Sequence, residues 1–155
     1  MDTASAQRRY RSLKKPSWAP PAWVFGPVWT VLYAVIFASY GYVYMVFLRG
    51  EIPTLVFVPF VLNLVFNFAF TFIQFGLKSN LLATLDTVLV LVTLTWALAA
   101  IILFVPWVAY VNIPYFLWTC FAVVLQLTVT VLNWPKPKPQ SRLKSRPNGR
   151  MKRKR

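Results

Sequence analysis

The sequence has few of the side chains on which most enzyme chemistry depends. Histidine is absent, and Cys120 is the only cysteine among 155 residues. A metal site built from imidazoles and thiolates is therefore not expected, an internal disulfide cannot form, and histidine-based acid–base catalysis is excluded. Asp and Glu together number only three, and Asp86 is the only one inside a long apolar run. No paired carboxylates, and so no catalytic residues of that kind, are predicted.

Charge is also scarce in the middle of the chain. Hydrophobic residues make up 58% and aromatic residues 17% of the sequence. A soluble globule of this composition would have almost no polar surface, so we interpret the chain as an integral membrane protein. The first nine residues contain no apolar core, and a cleavable signal peptide is therefore not expected. Between residues 16 and 135 the charged side chains are Arg49, Glu51, Lys78 and Asp86.

The net charge of +14 lies mostly at the two ends of the chain. Five basic residues precede the first apolar run, and ten more follow the last apolar run, between Lys136 and Arg155. Basic clusters that flank membrane spans set orientation and contact anionic headgroups. We therefore expect the bilayer surface as the partner of these ends, and no nucleic acid.

Four long apolar runs predict four transmembrane helices, over residues 23–48, 54–75, 81–105 and 113–134. Each run is long enough to cross a hydrocarbon core of about 30 Å and too long for a strand. The fold class is therefore an all-α membrane protein, a bundle of four transmembrane helices. Residues 107–112 are expected to form an uncharged connection.

An even number of crossings puts both basic ends on one side of the membrane, together with Lys78. The positive-inside rule then predicts that both termini are cytoplasmic. The predicted organisation is a basic N-terminal segment at 1–15, a membrane domain at 16–134, and a basic tail at 135–155. The tail is rich in proline and is expected to be extended or disordered.

Aromatic, polar and small side chains recur at helical spacing in each span, and we expect these faces to turn inward, because polar groups in lipid are costly. They serve either as contacts between helices, worth about 1 kcal/mol each, or as the lining of a pocket for a flat, mostly apolar ligand. Asp86 is either a hydrogen-bond acceptor near the helix start or a proton or ligand contact. The four sets are Trp29, Tyr33, Phe37, Tyr40 and Tyr44; Asn63, Asn67, Phe70, Thr71 and Gln74; Asp86, Val90, Thr93, Ala97 and Ala100; and Trp118, Ala122, Gln126 and Asn133.

Several motifs resemble one known family. Lys15-Pro-Ser-Trp-Ala-Pro-Pro, followed by Pro27-Val-Trp-Thr-Val-Leu-Tyr33, resembles the hallmark of the tryptophan-rich sensory protein/translocator protein (TspO/MBR) family. Asn67-Phe-Ala-Phe-Thr71, the Leu-Ala-Thr-Leu run that ends at Asp86, and the run from Ile113 to Ala122 match further family segments in order. The similarity covers about residues 10–133 and is strongest to bacterial members, which implies a bacterial cell membrane.

The resemblance implies a multi-pass protein that binds porphyrins or other flat hydrophobic ligands as a sensor, carrier or regulator in tetrapyrrole and stress handling. It implies no obligatory cofactor and no metal, with a porphyrin or haem-like molecule as the ligand and a homodimer as one assembly. A light-dependent, porphyrin-degrading enzyme is the alternative, with Trp29 and Trp118 as its reactive residues. By position, the ligand-binding residues would be Tyr10, Pro20, Trp29, Tyr33, Asn67, Phe70, Thr71, Trp118 and Ala122.

The sequence departs from the family pattern in three places. The family's five-helix bundle has a helix before the Tyr10 region that this sequence lacks, so a four-helix bundle with one wall open to lipid is expected. A partner helix or a second copy could close that wall, which leaves a structural or transport subunit as a third hypothesis. Phe70 stands where the family has tryptophan. The sterol-recognition pattern of animal members is absent around residues 125–133, so sterol binding by that route is not expected.

Overall fold

A computed structural model of the chain describes residues 12–77 and 79–134. Every regular element within these residues is helical, and the predicted all-α fold class is confirmed. The helix that follows the first turn continues beyond its α-helical part as a π-helical segment, Phe72–Leu77. The α-helices are α1 (Phe25–Leu48), α2 (Thr54–Thr71), α3 (Asn80–Ile101), α4 (Pro106–Val111) and α5 (Ile113–Leu132).

Four of the described helices are long and apolar enough to cross a membrane, which confirms the predicted number of spans. Their outer faces are apolar as well: the side chain of Phe37 is 85% exposed and that of Val131 is 72% exposed. In a bilayer these side chains face lipid, where apolar exposure carries no cost. The spans are Phe25–Leu48, Thr54–Gln74, Asn80–Ile101 and Ile113–Leu132.

The first turn closes α1 by a glycine cap. Gly50 has a φ of 73°, the left-handed conformation that glycine adopts without steric cost. Its N–H donates to the carbonyl of Phe47 at 2.9 Å, and the N–H of Glu51 donates to the carbonyl of Val46 at 3.1 Å. This pair of bonds is the Schellman motif, which satisfies carbonyls at a helix end. The chain therefore reverses sharply enough to bring α2 alongside α1.

The predicted end of the third helix is wrong. α3 ends at Ile101, four residues before the position expected, and the N–H groups of Phe104 and Val105 bond back to the carbonyl of Ile101 at 2.9 and 2.8 Å. The expected connection at 107–112 is mostly the short helix α4, which starts at Pro106. Proline suits this first position because its fixed φ is already helical and its missing N–H needs no partner there.

The other predicted bounds differ by smaller amounts. α1 begins at Phe25 rather than residue 23, and α5 ends at Leu132 rather than residue 134. The second span is α-helical only to Thr71, because the chain then adopts the wider π-helical winding. Apolar composition does not register a change of winding, since a mostly apolar segment such as Phe72–Leu77 is compatible with either form.

α3 lies at the centre of the bundle and packs against both α2 and α5. On the α2 side, the amide of Asn63 donates to the carbonyl of Val90 at 2.9 Å. On the α5 side, the hydroxyls of Thr84 and Thr130 share a hydrogen bond of 2.8 Å. Polar side chains thus tie the helices together in places where lipid could not satisfy them.

The prediction that the aromatic residues of α1 all face inward is only partly correct. Tyr40 is buried, but Phe37 is 85% exposed and Tyr44 is 51% exposed. At 100° per residue, Phe37 lies about 80° from Trp29 around the helix. The inward face therefore follows Leu32 and Tyr40 along with Trp29, whereas Phe37 and Tyr44 lie on the lipid side.

Candidate functional site

A cavity of about 370 Å³ lies between α1, α2, α3 and α5. Its size falls in the range of small-molecule sites. Its lining is mostly apolar and aromatic, and it contains no charged side chain among the described residues. The cavity is lined by Leu13, Ala22, Phe25, Gly26, Trp29, Tyr33, Asn67, Phe70, Thr71, Gln74, Thr87, Val90, Trp118, Thr119, Ala122, Leu125, Gln126 and Val129.

The structure brings together seven of the nine residues that the resemblance assigned to ligand binding. Two do not join them: Pro20 lies before α1 and is not part of the lining, and Tyr10 lies outside the described residues. Binding of a ligand by any of the nine stays a prediction. The seven that line the cavity are Trp29, Tyr33, Asn67, Phe70, Thr71, Trp118 and Ala122.

One polar group of the cavity wall is fixed by neighbouring tyrosines. The Tyr33 hydroxyl donates to Asn67 Oδ1 at 2.9 Å, and Asn67 Nδ2 donates to the Tyr115 hydroxyl at 2.7 Å. Asn67 is buried, and Tyr115 is fully buried behind it. The amide therefore has one orientation, and it keeps spare donor and acceptor capacity for a molecule in the cavity.

This network continues away from the cavity into the core. Tyr115 and Tyr40 both donate to Asn63 Oδ1, at 3.1 and 2.9 Å. Asn63 Nδ2 donates in turn to the carbonyl of Val90 at 2.9 Å and to Thr93 Oγ1 at 3.3 Å. Four helices are thus joined by one chain of phenol and amide groups, which holds the wall of the cavity in place.

A second polar group lies at the end of the cavity where α2 passes into the π-helical segment. Gln126 Nε2 lies 3.4 Å from Gln74 Oε1 and 3.4 Å from the carbonyl of Asn80. Both distances are long for hydrogen bonds, so these amides are held loosely. Sequence reasoning placed Gln74 and Gln126 on inward faces but did not include them in the site. The helical spacing could have identified Gln126, because it lies one turn beyond Ala122, which was among the predicted ligand-binding residues.

Aromatic rings form the wall contributed by α5. Phe25 packs edge-on against Trp118 with ring centroids 5.9 Å apart, and Phe121 packs against Trp118 at 5.5 Å. On α1, Trp29 packs against Tyr33 at 5.2 Å. The indole N–H of Trp118 is buried and has no hydrogen-bond partner among residues 12–77 and 79–134. Trp118 therefore combines an aromatic face with an unused donor.

Asp86 does not belong to the cavity. It is buried in α3, and its Oδ2 has no hydrogen-bond partner in the part of the chain that the structure describes. The same part contains no group of three or more His, Cys, Asp or Glu side chains that could hold a metal ion. The cavity offers aromatic surface for stacking and a few hydrogen-bonding groups, as small-molecule sites commonly do.

Comparisons with known proteins agree with this architecture. The model of the TspO/MBR family matches residues 1–132. The chain is similar to Tryptophan-rich protein TspO of Bacillus cereus, with 37% identity over 124 residues and 80% of each chain covered. It is 36% identical over 133 residues to Protein CrtK of Rhodobacter capsulatus, covering 84% of this chain and 81% of that one. It is 35% identical over 131 residues to the human Translocator protein, covering 79% and 73%. This multi-pass membrane protein therefore belongs to the TspO/MBR family.

Proposed function

We propose that the protein binds a flat, mostly apolar ligand of the porphyrin class in the cavity, and that it acts as a sensor, carrier or regulator in tetrapyrrole and stress handling. The observation that carries this proposal is an uncharged cavity with aromatic rings on two walls and a fixed amide on a third. Relatives named as a sensory protein and as a translocator support a role in which a ligand is recognised or moved.

The lining suits a planar ring system. Trp29 and Tyr33 of α1, together with Trp118 of α5, supply aromatic surface from separate helices. Each contact between aromatic rings contributes about 0.5–1.5 kcal/mol beyond the area that it buries. A planar aromatic ligand can make several such contacts, whereas a flexible aliphatic one must also lose conformational freedom when it binds.

Two groups suit a polar edge on that ligand. The indole N–H of Trp118 is a buried donor without a partner among the described residues, and a small shift of the groups that cover it would let a ligand acceptor remove the cost of leaving it unpaired. Asn67 keeps capacity for a further hydrogen bond, in a position fixed by Tyr33 and Tyr115. Ring nitrogens or carboxylate oxygens of a porphyrin are acceptors of the required kind.

Quenching of tryptophan fluorescence by protoporphyrin IX in detergent micelles tests the proposal. The wild type is expected to bind at micromolar ligand, and Trp29→Phe with Trp118→Phe is expected to bind about tenfold more weakly, because two stacking contacts change. Trp96→Phe is the matched control, since Trp96 lies on α3 outside the cavity lining and is 40% exposed. Absence of saturable quenching in the wild type, or equal affinity in the double variant, contradicts the proposal.

A second candidate function is the light-dependent breakdown of the bound porphyrin. The observation that favours it is that Trp29 and Trp118 both line one cavity, where either indole could exchange an electron with an excited ligand. Illumination of protoporphyrin IX with and without protein is the test, followed by absorbance spectra. If the reaction occurs, illumination lowers the porphyrin absorbance in the presence of the protein, and this loss depends on both tryptophans. Identical spectra in the two samples rule it out.

We also propose that both ends of the membrane domain are cytoplasmic, in a bacterial cell membrane. Supporting this, α1 begins and α5 ends on the same side of the bundle, as contacts between Lys14 and Asn133 show. Fusion of a periplasm-sensitive reporter to each terminus checks the orientation. Opposite signals from the two fusions would contradict it.

Anionic headgroups and a second copy of the chain are the proposed partners. The basic ends suit a negatively charged membrane surface, and the lipid-facing side of α1, with Phe37 and Tyr44 exposed, is available to a second copy or a partner helix. Cross-linking in native membranes is expected to give a dimer. Monomers alone would contradict the second-copy proposal and, with it, the structural-subunit hypothesis.

A further inference from the structure

Residues 13–24, here called the strap, precede α1 and form part of the cavity wall. The strap contains turns but no helix or strand. Leu13 and Ala22 line the cavity directly. Trp18 packs edge-on against Phe121 of α5 with ring centroids 5.9 Å apart. The strap therefore lies across one end of the cavity, from α1 towards α5.

The side chain of Asn133 binds the far end of the strap. The N–H of Lys14 donates to Asn133 Oδ1 at 3.0 Å, and Asn133 Nδ2 donates to the carbonyl of Lys14 at 2.8 Å. One carboxamide thus pairs with both backbone groups of one residue, 119 positions away in sequence. Asn133 Nδ2 also bonds to the carbonyl of Val129 at 2.8 Å, which fixes the amide to the last turn of α5.

The strap is stiff between Lys14 and the start of α1. Pro16, Pro20 and Pro21 each fix one backbone torsion, and turns close from Ala19 to Pro16 at 3.1 Å and from Val24 to Pro21 at 3.0 Å. A segment with few free torsions moves as a unit about its ends. Because Leu13 is the neighbour of Lys14 in the chain, loss of the bonds at Lys14 would remove a restraint that keeps Leu13 at the cavity wall.

We propose that Asn133 is a latch: its two hydrogen bonds to the backbone of Lys14 keep the strap over the cavity and control passage between the cavity and water. The inference rests on the proposed function only in taking the cavity as the ligand's site. Asn133 is a positioning residue in this account, since it acts through the strap and does not line the cavity.

The latch can be tested without any ligand. Ala122→Cys places a thiol in the cavity lining, in a Cys120→Ser background that removes the natural thiol. An anionic methanethiosulfonate reagent, which does not partition into lipid, then reports access from water. Asn133→Ala is expected to speed labelling about tenfold, because two hydrogen bonds that hold the strap are lost.

Thr128→Ala is the matched control. Thr128 also lies on α5, and among the described residues its hydroxyl bonds only to the carbonyl of Val124 in its own helix, at 2.8 Å. Labelling in this variant is expected to equal that of the parent. Hydrogen exchange of peptides containing Lys14 gives a second measurement: about tenfold faster exchange is expected in Asn133→Ala alone. Unchanged labelling or unchanged exchange in Asn133→Ala overturns the latch.

Measurements of protoporphyrin IX release distinguish a failure of the latch from a failure of the proposed function. If the wild type binds it, Asn133→Ala is expected to release it about tenfold faster while Thr128→Ala releases it at the wild-type rate. Equal release rates in Asn133→Ala and wild type overturn control of ligand passage. If the wild type binds no porphyrin, the proposed function fails, and the labelling and exchange results still decide whether Asn133 latches the strap.

Discussion

Replacing Asn63 by leucine tests whether the phenol–amide network holds the bundle together. Asn63 is fully buried, accepts hydrogen bonds from Tyr40 and Tyr115, and donates to Val90 and Thr93. Leucine has the same number and branching of side-chain heavy atoms, with larger terminal groups, so the change leaves no cavity and removes the polar contacts. The two phenol groups then lose their acceptor in a core that offers no water.

The four lost contacts set the size of the effect. Hydrogen bonds between membrane helices contribute about 0.6 kcal/mol on average, which gives about 2.4 kcal/mol for Asn63→Leu. Burial of the unpaired Tyr40 hydroxyl adds about 1 kcal/mol. Tyr40→Phe removes that hydroxyl, so adding it to Asn63→Leu is expected to recover about 1 kcal/mol, although Tyr40→Phe alone is destabilising.

The assay is reversible unfolding in mixed micelles, with the free energy of unfolding taken from circular dichroism as the denaturing detergent increases. Thr95→Ala is the control, because the exposed Thr95 hydroxyl bonds only to the carbonyl of Leu91 in its own helix within residues 12–77 and 79–134. It is expected to change stability by less than about 0.5 kcal/mol. The reasoning is refuted if Asn63→Leu is as stable as the wild type, or if Tyr40→Phe destabilises equally in both backgrounds.

The remaining predictions concern the turns and helix contacts. Gly50→Ala is expected to destabilise the protein by about 1 kcal/mol, because the φ of Gly50 is 73°. Gly41→Ala, at an open mid-helix position, is expected to stabilise it by up to about 1 kcal/mol. Equal effects of the two substitutions in the same unfolding assay would contradict this. A double-mutant cycle of Thr84→Val and Thr130→Val is expected to give a coupling of about 0.6 kcal/mol for their 2.8 Å bond, and no coupling would contradict it. Val131→Leu is expected to leave stability in bicelles unchanged within about 0.5 kcal/mol, since this side chain of α5 is 72% exposed to lipid and α5 is not part of the proposed contact with a second copy; a larger loss would contradict this.

The motifs named several residues that the structure brings together in one cavity, although they did not show that the strap lies across one end of it. Residues quoted from separate family segments, such as Trp29, Asn67 and Trp118, line one cavity. Leu13 was missed because a leucine in a basic segment carries no signal of burial. Gln74 and Gln126 were assigned to inward faces but not to the site, because spacing within one helix does not reveal what the neighbouring helix contributes.

The sequence by itself determined the fold class and the number of spans. Four long apolar runs in lipid are expected to be helices, because each backbone N–H and C=O must find a hydrogen-bond partner and a helix provides these partners within the segment. The family assignment was also available from the order of the motifs. These features depend on local composition and on residues that are neighbours in the chain.

The tertiary structure alone decided which apolar faces meet protein and which meet lipid. Phe37 and Tyr40 are both aromatic and lie three positions apart, yet one is exposed and the other is buried. Spacing could not separate them, because lipid and a helix neighbour are both apolar surroundings. The pairing of Asn133 with Lys14 likewise arises only once the bundle brings the end of α5 to the strap, since a hydrogen bond across 119 residues leaves no local pattern in the chain.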